Sequence, residues 1–136
     1  MYDSGNSDII FQADWSDKTI LVADDEDINY MYLKMALMKT RAQILRANNG
    51  KEAVDMVHEG NQKIDLILMD IKMPVMDGKE ATRQIKAMNT DVFIVAQTAY
   101  AMQEDKSACF RSGCDEFLSK PVRQKILLET LAKFLS

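Results

Sequence analysis

Asp70 closes the apolar run Ile64-Asp65-Leu66-Ile67-Leu68-Met69-Asp70 and is followed by Ile71-Lys72-Met73-Pro74. A buried strand of this kind delivers its last carboxylate to the rim of a sheet, where ligands bind in open α/β folds. Pro74 and the Asp77-Gly78 pair then stop the strand and make a loop. A carboxylate so placed can act as a nucleophile, a metal ligand or a helix cap. The other strand ends have to decide between these.

The run Thr19-Ile20-Leu21-Val22-Ala23 ends in Asp24-Asp25, followed by Glu26; the run from Val92 ends at Thr98; Glu116-Phe117-Leu118 leads to Lys120. In a parallel sheet all these ends share one rim. Close carboxylates repel, and one would take up a proton unless a cation joined them. An all-oxygen set of this type suits Mg²⁺, with Mn²⁺ as the alternative. A free carboxylate oxygen beside a bound cation suits in-line attack on phosphorus. The Lys120 ammonium, the Thr98 hydroxyl and nearby backbone N–H groups would then meet the phosphoryl oxygens.

The elements that must position these groups alternate strand and helix five times. Apolar residues at helical spacing (Ile28, Met31, Tyr32, Met35, Met38) predict a first helix over Asp27 to Lys39, with Met31, Met35 and Met38 expected in the core. A second strand covers Ala42 to Ala47, and a second helix starts after Asn48-Asn49 and stops at Gly60. A third helix starts near Asp77, which is expected to be its cap. A fourth covers Met102 to Arg111 with Gly113 after it, and a fifth covers Arg123 to Phe134 with Leu127, Leu128, Leu131 and Leu135 inward. Alternation of this kind predicts a parallel sheet covered on both faces, a flavodoxin-like (βα)5 fold of strand order 2-1-3-4-5. Residues 1–17, polar apart from Ile9-Ile10-Phe11, are expected to be a tail or linker, and residues 18–136 the domain.

Composition narrows the function. The chain has 136 residues, enough for one core, and a net charge of −4 that argues against a sequence-independent grip on nucleic acid. No apolar run is long enough to span a membrane, and no signal peptide is visible, so a cytoplasmic location is expected. Cys109 and Cys114 are expected to be free thiols. His58, the only histidine, is expected on the surface of the second helix, away from the rim.

Asp24-Asp25, the run Leu68 to Gly78, Thr98-Ala99 and Lys120-Pro121, in that order, resemble the receiver domain of two-component response regulators, over roughly residues 18 to 135. The resemblance implies that Asp70 is the phosphoacceptor in a phosphorelay. It implies that Asp25, Asp70 and the Lys72 carbonyl bind Mg²⁺, with Asp24 acting directly or through water. Thr98 would be the switch hydroxyl and Phe117 the switch aromatic, its ring moving inward. Lys120 would be the phosphoryl partner, and Lys120-Pro121 a cis bond. Lys72 and Tyr100 would border the path of hydrolytic water and set the lifetime of the phosphoryl group. Gln97 departs from the apolar residue usual before the switch hydroxyl.

The resemblance further implies a phosphorylation-controlled binding switch rather than an enzyme with an external substrate. Its phosphoryl donor or acceptor would be a histidine kinase or a histidine phosphotransfer domain. Readout, or dimerisation, would use helices four and five. No output domain follows helix five, and the N-terminal stretch resembles receivers fused to sensor kinases, so a hybrid histidine kinase is the expected parent, with a stand-alone regulator as the alternative. A phosphohydrolase of the haloacid dehalogenase type is disfavoured because Lys72 stands where its second Asp is needed. A flavin carrier is disfavoured because Asp24-Asp25-Glu26 would repel the flavin phosphate.

Overall fold

Five strands and five helices alternate along residues 13–88, 90–99 and 102–136, the part of the chain described by the computed structural model. In chain order they are β1 (Thr19–Ala23), α1 (Asp27–Leu37) with a short 3-10 turn (Met38–Thr40), β2 (Gln43–Ala47), α2 (Gly50–Glu59) and β3 (Leu66–Asp70). Then follow α3 (Gly78–Lys86), β4 (Phe93–Thr98), α4 (Gln103–Ser112), β5 (Glu116–Ser119) and α5 (Gln124–Leu135). Every strand pairing is parallel and the order is β2-β1-β3-β4-β5, the flavodoxin-like arrangement expected from the alternation.

The residues of β1 and β3 are buried on both faces of the sheet, which is why these segments read as continuous apolar runs. Alternate side chains feed two cores. Leu21, Ile67, Met69, Ile94 and Phe117 pack under α2, α3 and α4 with Ala53, Ala81, Ile85 and Cys109. Ile20, Val22, Leu66, Leu68 and Leu118 pack under α1 and α5 with Leu33, Leu37, Leu127 and Leu131. Full burial of one such aliphatic side chain contributes about 1.5–3 kcal/mol.

Local signals place the helices. The Asn49 side chain caps α2 by accepting the Glu52 N–H at 2.9 Å, and the Asp77 side chain caps α3 by accepting the Glu80 N–H at 2.9 Å. Gly60 and Gly113 end α2 and α4 at φ 65° and 113°, in the left-handed region. Cys109 and Cys114 are free and buried, and burial pushes the Cys114 thiol up to about 12. No described helix is long and apolar enough to cross a membrane.

Two expectations need correction. Met31, Met35 and Met38 are 49%, 63% and 65% exposed rather than in the core. Helix α1 carries a second stripe at helical spacing, Leu33, Ala36, Leu37 and, in the 3-10 turn, Thr40, and this is the buried one. Packing of that stripe into the core under α1 and α5 leaves the Met stripe facing outward. The second correction concerns Trp15, which falls in the expected tail but is 2% exposed and packs in the core under α1 and α5. Its backbone N–H donates to the Thr40 carbonyl at 2.7 Å, and its indole Nε1 donates to Ser136 Oγ at 3.0 Å. Ile9, Ile10 and Phe11 lie outside the described residues.

Candidate functional site

Parallel pairing brings the strand ends to one rim. Beyond the pair Ala23↔Met69 the next residues are Asp24 and Asp70, and Asp70 is paired with Gln97. Asp24 and Asp70 therefore project from the α1/α5 face of the sheet, as Val22 and Leu68 do two residues earlier. One carboxylate oxygen from each of Asp24, Asp25 and Asp70 lies within 4.8 Å of the others. Asp24 and Asp70 are buried, while Asp25 is exposed at the mouth.

Each carboxylate is held. Asp24 Oδ1 accepts the Glu26 N–H at 2.9 Å, and Oδ2 accepts from Asn29 Nδ2. Asp70 Oδ1 accepts the Lys72 N–H at 3.3 Å, and Oδ2 accepts from Lys120 Nζ at 3.1 Å. The same ammonium stands 3.6 Å from Asp24 Oδ2 and 3.8 Å from Glu26 Oε1. Burial raises the Asp70 pKa, the negative Asp24 adds to the rise, and Lys120 opposes it without cancelling it. One ammonium shared among three carboxylates cannot neutralise any of them alone. For Lys120, burial acts to lower the pKa, but Asp70, Asp24 and Glu26 together outweigh it and hold the ammonium above its ordinary value.

Asp25, Glu26, Asp70, Lys72, Thr98, Ala99 and Lys120 line a cavity of about 260 Å³. Asp25, Asp70, Lys72, Thr98 and Lys120 thus meet in one place, and Asp24 joins them through the carboxylate cluster. Lys72 follows Asp70 into the loop, and Lys120–Pro121 is cis. Tyr100, assigned with Lys72 to the control of lifetime, lies outside the described residues. Phe117 is 8% exposed, with its ring already in the core under α2, α3 and α4. It is paired with Ala96 of β4, and Thr98 lies two residues further along that strand. His58 is exposed on α2, as expected.

The loop after Asp70 is gripped from two sides. The Gly78 N–H donates to the Ile71 carbonyl at 3.0 Å, and a Cβ on Gly78 would come within 2.1 Å of the Asp70 carbonyl oxygen. The Gly50 N–H donates to the Met76 carbonyl at 3.1 Å, and a Cβ there would come within 2.3 Å of the same Met76 oxygen. Only glycine allows either approach. Between them Val75 sits at φ 70°, an uncommon conformation for a β-branched residue.

Sequence inspection missed Arg46. From β2 its Nε and Nη2 donate to the Asp24 carbonyl at 3.3 and 3.1 Å, and its Nη1 pairs with Asp27 at 2.7 Å. The guanidinium also lies 4.6 Å from the centre of the Tyr30 ring. It ties the acidic loop to the neighbouring strand. The signal was weak: a lone arginine near the end of an edge strand is ordinarily a solvated charge.

An all-oxygen cluster with two of its carboxylates buried fits a divalent cation of the Mg²⁺ class, which relieves the repulsion that Lys120 only partly offsets. Asp24, Asp25 and Asp70 would supply side-chain oxygens.

Comparison with known proteins agrees with this arrangement. The family model described as the response regulator receiver domain matches residues 20–132. The chain is 39% identical over 119 residues to the hybrid signal transduction histidine kinase I of Dictyostelium discoideum, a match covering 82% of this chain and 7% of that protein. It is also 39% identical over 117 residues to the two-component response regulator ORR41 of Oryza sativa subsp. japonica, covering 85% of this chain and 92% of that protein. The receiver domain of sensor histidine kinase PA1611 from Pseudomonas aeruginosa, solved with a magnesium ion in its active-site cleft, is similar at TM-score 0.79 and 32% identity, covering 87% of this chain and 97% of that one. A chain of the co-crystal of the Saccharomyces cerevisiae phosphotransfer protein Ypd1 with the receiver domain of Ssk1 is similar at TM-score 0.80 and 33% identity, covering 87% of this chain and 88% of that one.

Proposed function

The chain belongs to the response regulator receiver domain family, and from that premise we propose that Asp70 takes a phosphoryl group from a histidine. In this transfer the N–P bond of a phosphohistidine breaks and an O–P bond forms at an Asp70 carboxylate oxygen. The observation that carries the assignment is the buried Asp70 carboxylate, held at 3.1 Å by Lys120 and next to Asp24. Asp70 is desolvated yet opens on the cavity, so a phosphoryl group can reach its oxygen. Lys120 can follow the negative charge onto the phosphoryl oxygens, while Thr98 and the Ala99 backbone line the same space.

Mg²⁺ would be held by Asp24, Asp25 and Asp70 with the Lys72 carbonyl, and when bound it neutralises charge on the phosphoryl oxygens. Thr98 and Phe117 would carry the switch. Lys72 and Tyr100 would modulate the lifetime of the acylphosphate. The chain catalyses only its own phosphorylation and dephosphorylation.

The partner is a histidine kinase or a histidine phosphotransfer domain. The outward stripe of α1 supports a docking surface beside the rim. Ile28 is 88% exposed, and Ile28, Asn29 and Tyr32 with Pro121 and Val122 line a groove of about 790 Å³. Tyr32 Oη donates to the Val122 carbonyl at 2.5 Å, which fixes the groove wall next to Lys120. Readout is placed on α4, β5 and α5, where Phe110 and Ile126 are 41% and 46% exposed, and self-association is the alternative use of that face. A hybrid histidine kinase is the proposed parent.

Incubation with acetyl phosphate and Mg²⁺ followed by intact mass measurement tests the central assignment. One phosphoryl adduct is expected on the wild type and none on Asp70→Asn. An adduct that survives Asp70→Asn would overturn it.

A further inference from the structure

Helix α1 turns a continuous apolar stripe outward. Met31, Met35 and Met38 are 49%, 63% and 65% exposed, and Ile28 carries the stripe on to the rim. Single exposed apolar residues are ordinary, but a contiguous row of them marks a surface that another segment covers. Ile28 and Tyr32 line the groove beside the rim, whereas Met35 and Met38 lie beyond it, toward the opposite pole.

The chain brings an apolar segment of its own to that far end. The Trp15 N–H donates to the Thr40 carbonyl at 2.7 Å, Asp14 stands 3.8 Å from Arg41, and Ala13 packs against the core under α1 and α5. The chain therefore enters the described fold against the last residues of α1. Immediately upstream, within residues 1–12 that precede the described part, stands the triplet Ile9-Ile10-Phe11. An extended chain covers about 3.3–3.6 Å per residue, so two residues back from Ala13 reach roughly 7 Å and four reach roughly 14 Å. The helix rises about 1.5 Å per residue, so Met31 to Met38 spans about 10 Å. The triplet is thus near enough and long enough to lie along Met38 and Met35. Charge agrees with this placement: residues 1–12 hold Asp3 and Asp8 and no Lys or Arg, while Lys34 and Lys39 stand exposed on α1 and its 3-10 turn.

We propose that Ile9-Ile10-Phe11 docks along the outer face of α1, on Met35 and Met38, as an intramolecular cover. A short tether holds such a segment at an effective concentration in the millimolar range, so a weak apolar contact suffices to keep it seated. Met35 lies two helical turns from Ile28, so the cover leaves the groove beside the rim open. A partner seated on that groove would meet the segment along the same helix. The inference is independent of the chemistry at Asp70.

Methionine oxidation in the full chain tests it. Dilute hydrogen peroxide converts each accessible thioether to the sulfoxide with release of water, and peptide mass spectrometry reads the rate at each position. Met102, 69% exposed at the start of α4 on the other side of the sheet, is the internal standard. In wild type, Met35 and Met38 are expected to oxidise roughly threefold or more slowly than Met102, the protection given when the effective concentration is about twice the dissociation constant of the contact. In the triple variant Ile9→Ser, Ile10→Ser, Phe11→Ser both should approach the rate of Met102. Met35→Glu, at an exposed position, should likewise release Met38. Oxidation of Met35 and Met38 at the Met102 rate in wild type overturns the proposal. So does protection that survives the triple substitution; if that protection grows with protein concentration, a second copy of the chain is the occupant instead.

Discussion

Lys120 Nζ donates to Asp70 Oδ2 at 3.1 Å, yet Asp70 keeps a raised pKa, because burial and the adjacent Asp24 outweigh that single contact. An ionised Asp70 is thus held in the folded protein at a cost. A folded pKa above the unfolded value means that stability is fully present below the unfolded pKa and declines as pH rises through the folded one. Asp70→Asn should therefore stabilise the protein at neutral pH by about 1 kcal/mol, or roughly 3–5 °C in Tm. The advantage should shrink as pH falls through the raised Asp70 pKa toward the ordinary aspartate range. Thermal melts of both proteins across that range check it; a variant that melts lower at neutral pH contradicts the account.

Asp25 and Asp24 should separate metal binding from folding. Asp25 is exposed and holds no structural hydrogen bond among those described, so Asp25→Ala should fold normally and lose most of the Mg²⁺-dependent rise in Tm. For wild type at a hundredfold excess over Kd that rise corresponds to about 2.7 kcal/mol. Asp24→Ala should lose the metal response and also melt lower without metal, since it strips partners from the Glu26 N–H and Asn29.

Ile28→Arg should block a protein partner while leaving the chemistry intact. The side chain is 88% exposed, so the stability change should stay within about 0.5 kcal/mol. Labelling by acetyl phosphate should be unchanged, and transfer from a phosphorylated histidine phosphotransfer domain should slow by an order of magnitude or more. Equal rates with the protein donor would remove α1 from the docking surface.

Arg46 holds the acidic loop through the Asp24 carbonyl and the Asp27 carboxylate together. Arg46→Ala should cost about 1–3 kcal/mol and weaken Mg²⁺ binding severalfold. Arg46→Lys keeps the charge but not the fork, and should recover only part of either loss. Calorimetric Mg²⁺ titration together with denaturant unfolding separates the two effects.

Val75 is 77% exposed and contributes little packing, and its φ of 70° is held by a tight turn in which the Met76 N–H donates to the Pro74 carbonyl at 2.7 Å. Val75→Gly should raise stability by up to about 1 kcal/mol after the entropic penalty of glycine. Urea unfolding is the direct measurement.

Most of the rim could be read from residue types. Asp24, Asp25, Asp70, Thr98 and Lys120 each close an apolar run, and parallel pairing collects such ends without further information. The caps at Asn49 and Asp77 were equally local. What sequence hid depended on rotation or on distant contacts. Two stripes of helical spacing run along α1, and which one is buried is decided by packing against the sheet and α5. Arg46 and Trp15 acquire meaning only from residues far away in the chain or on neighbouring strands.

The bond between Trp15 and Ser136 spans 121 positions of sequence. It ties the segment leading into β1 to the end of α5, at the pole opposite Asp70. The entry to β1 and the last turn of α5 are thereby fastened to each other, while the rim that carries Asp70 stands at the other end of the strands.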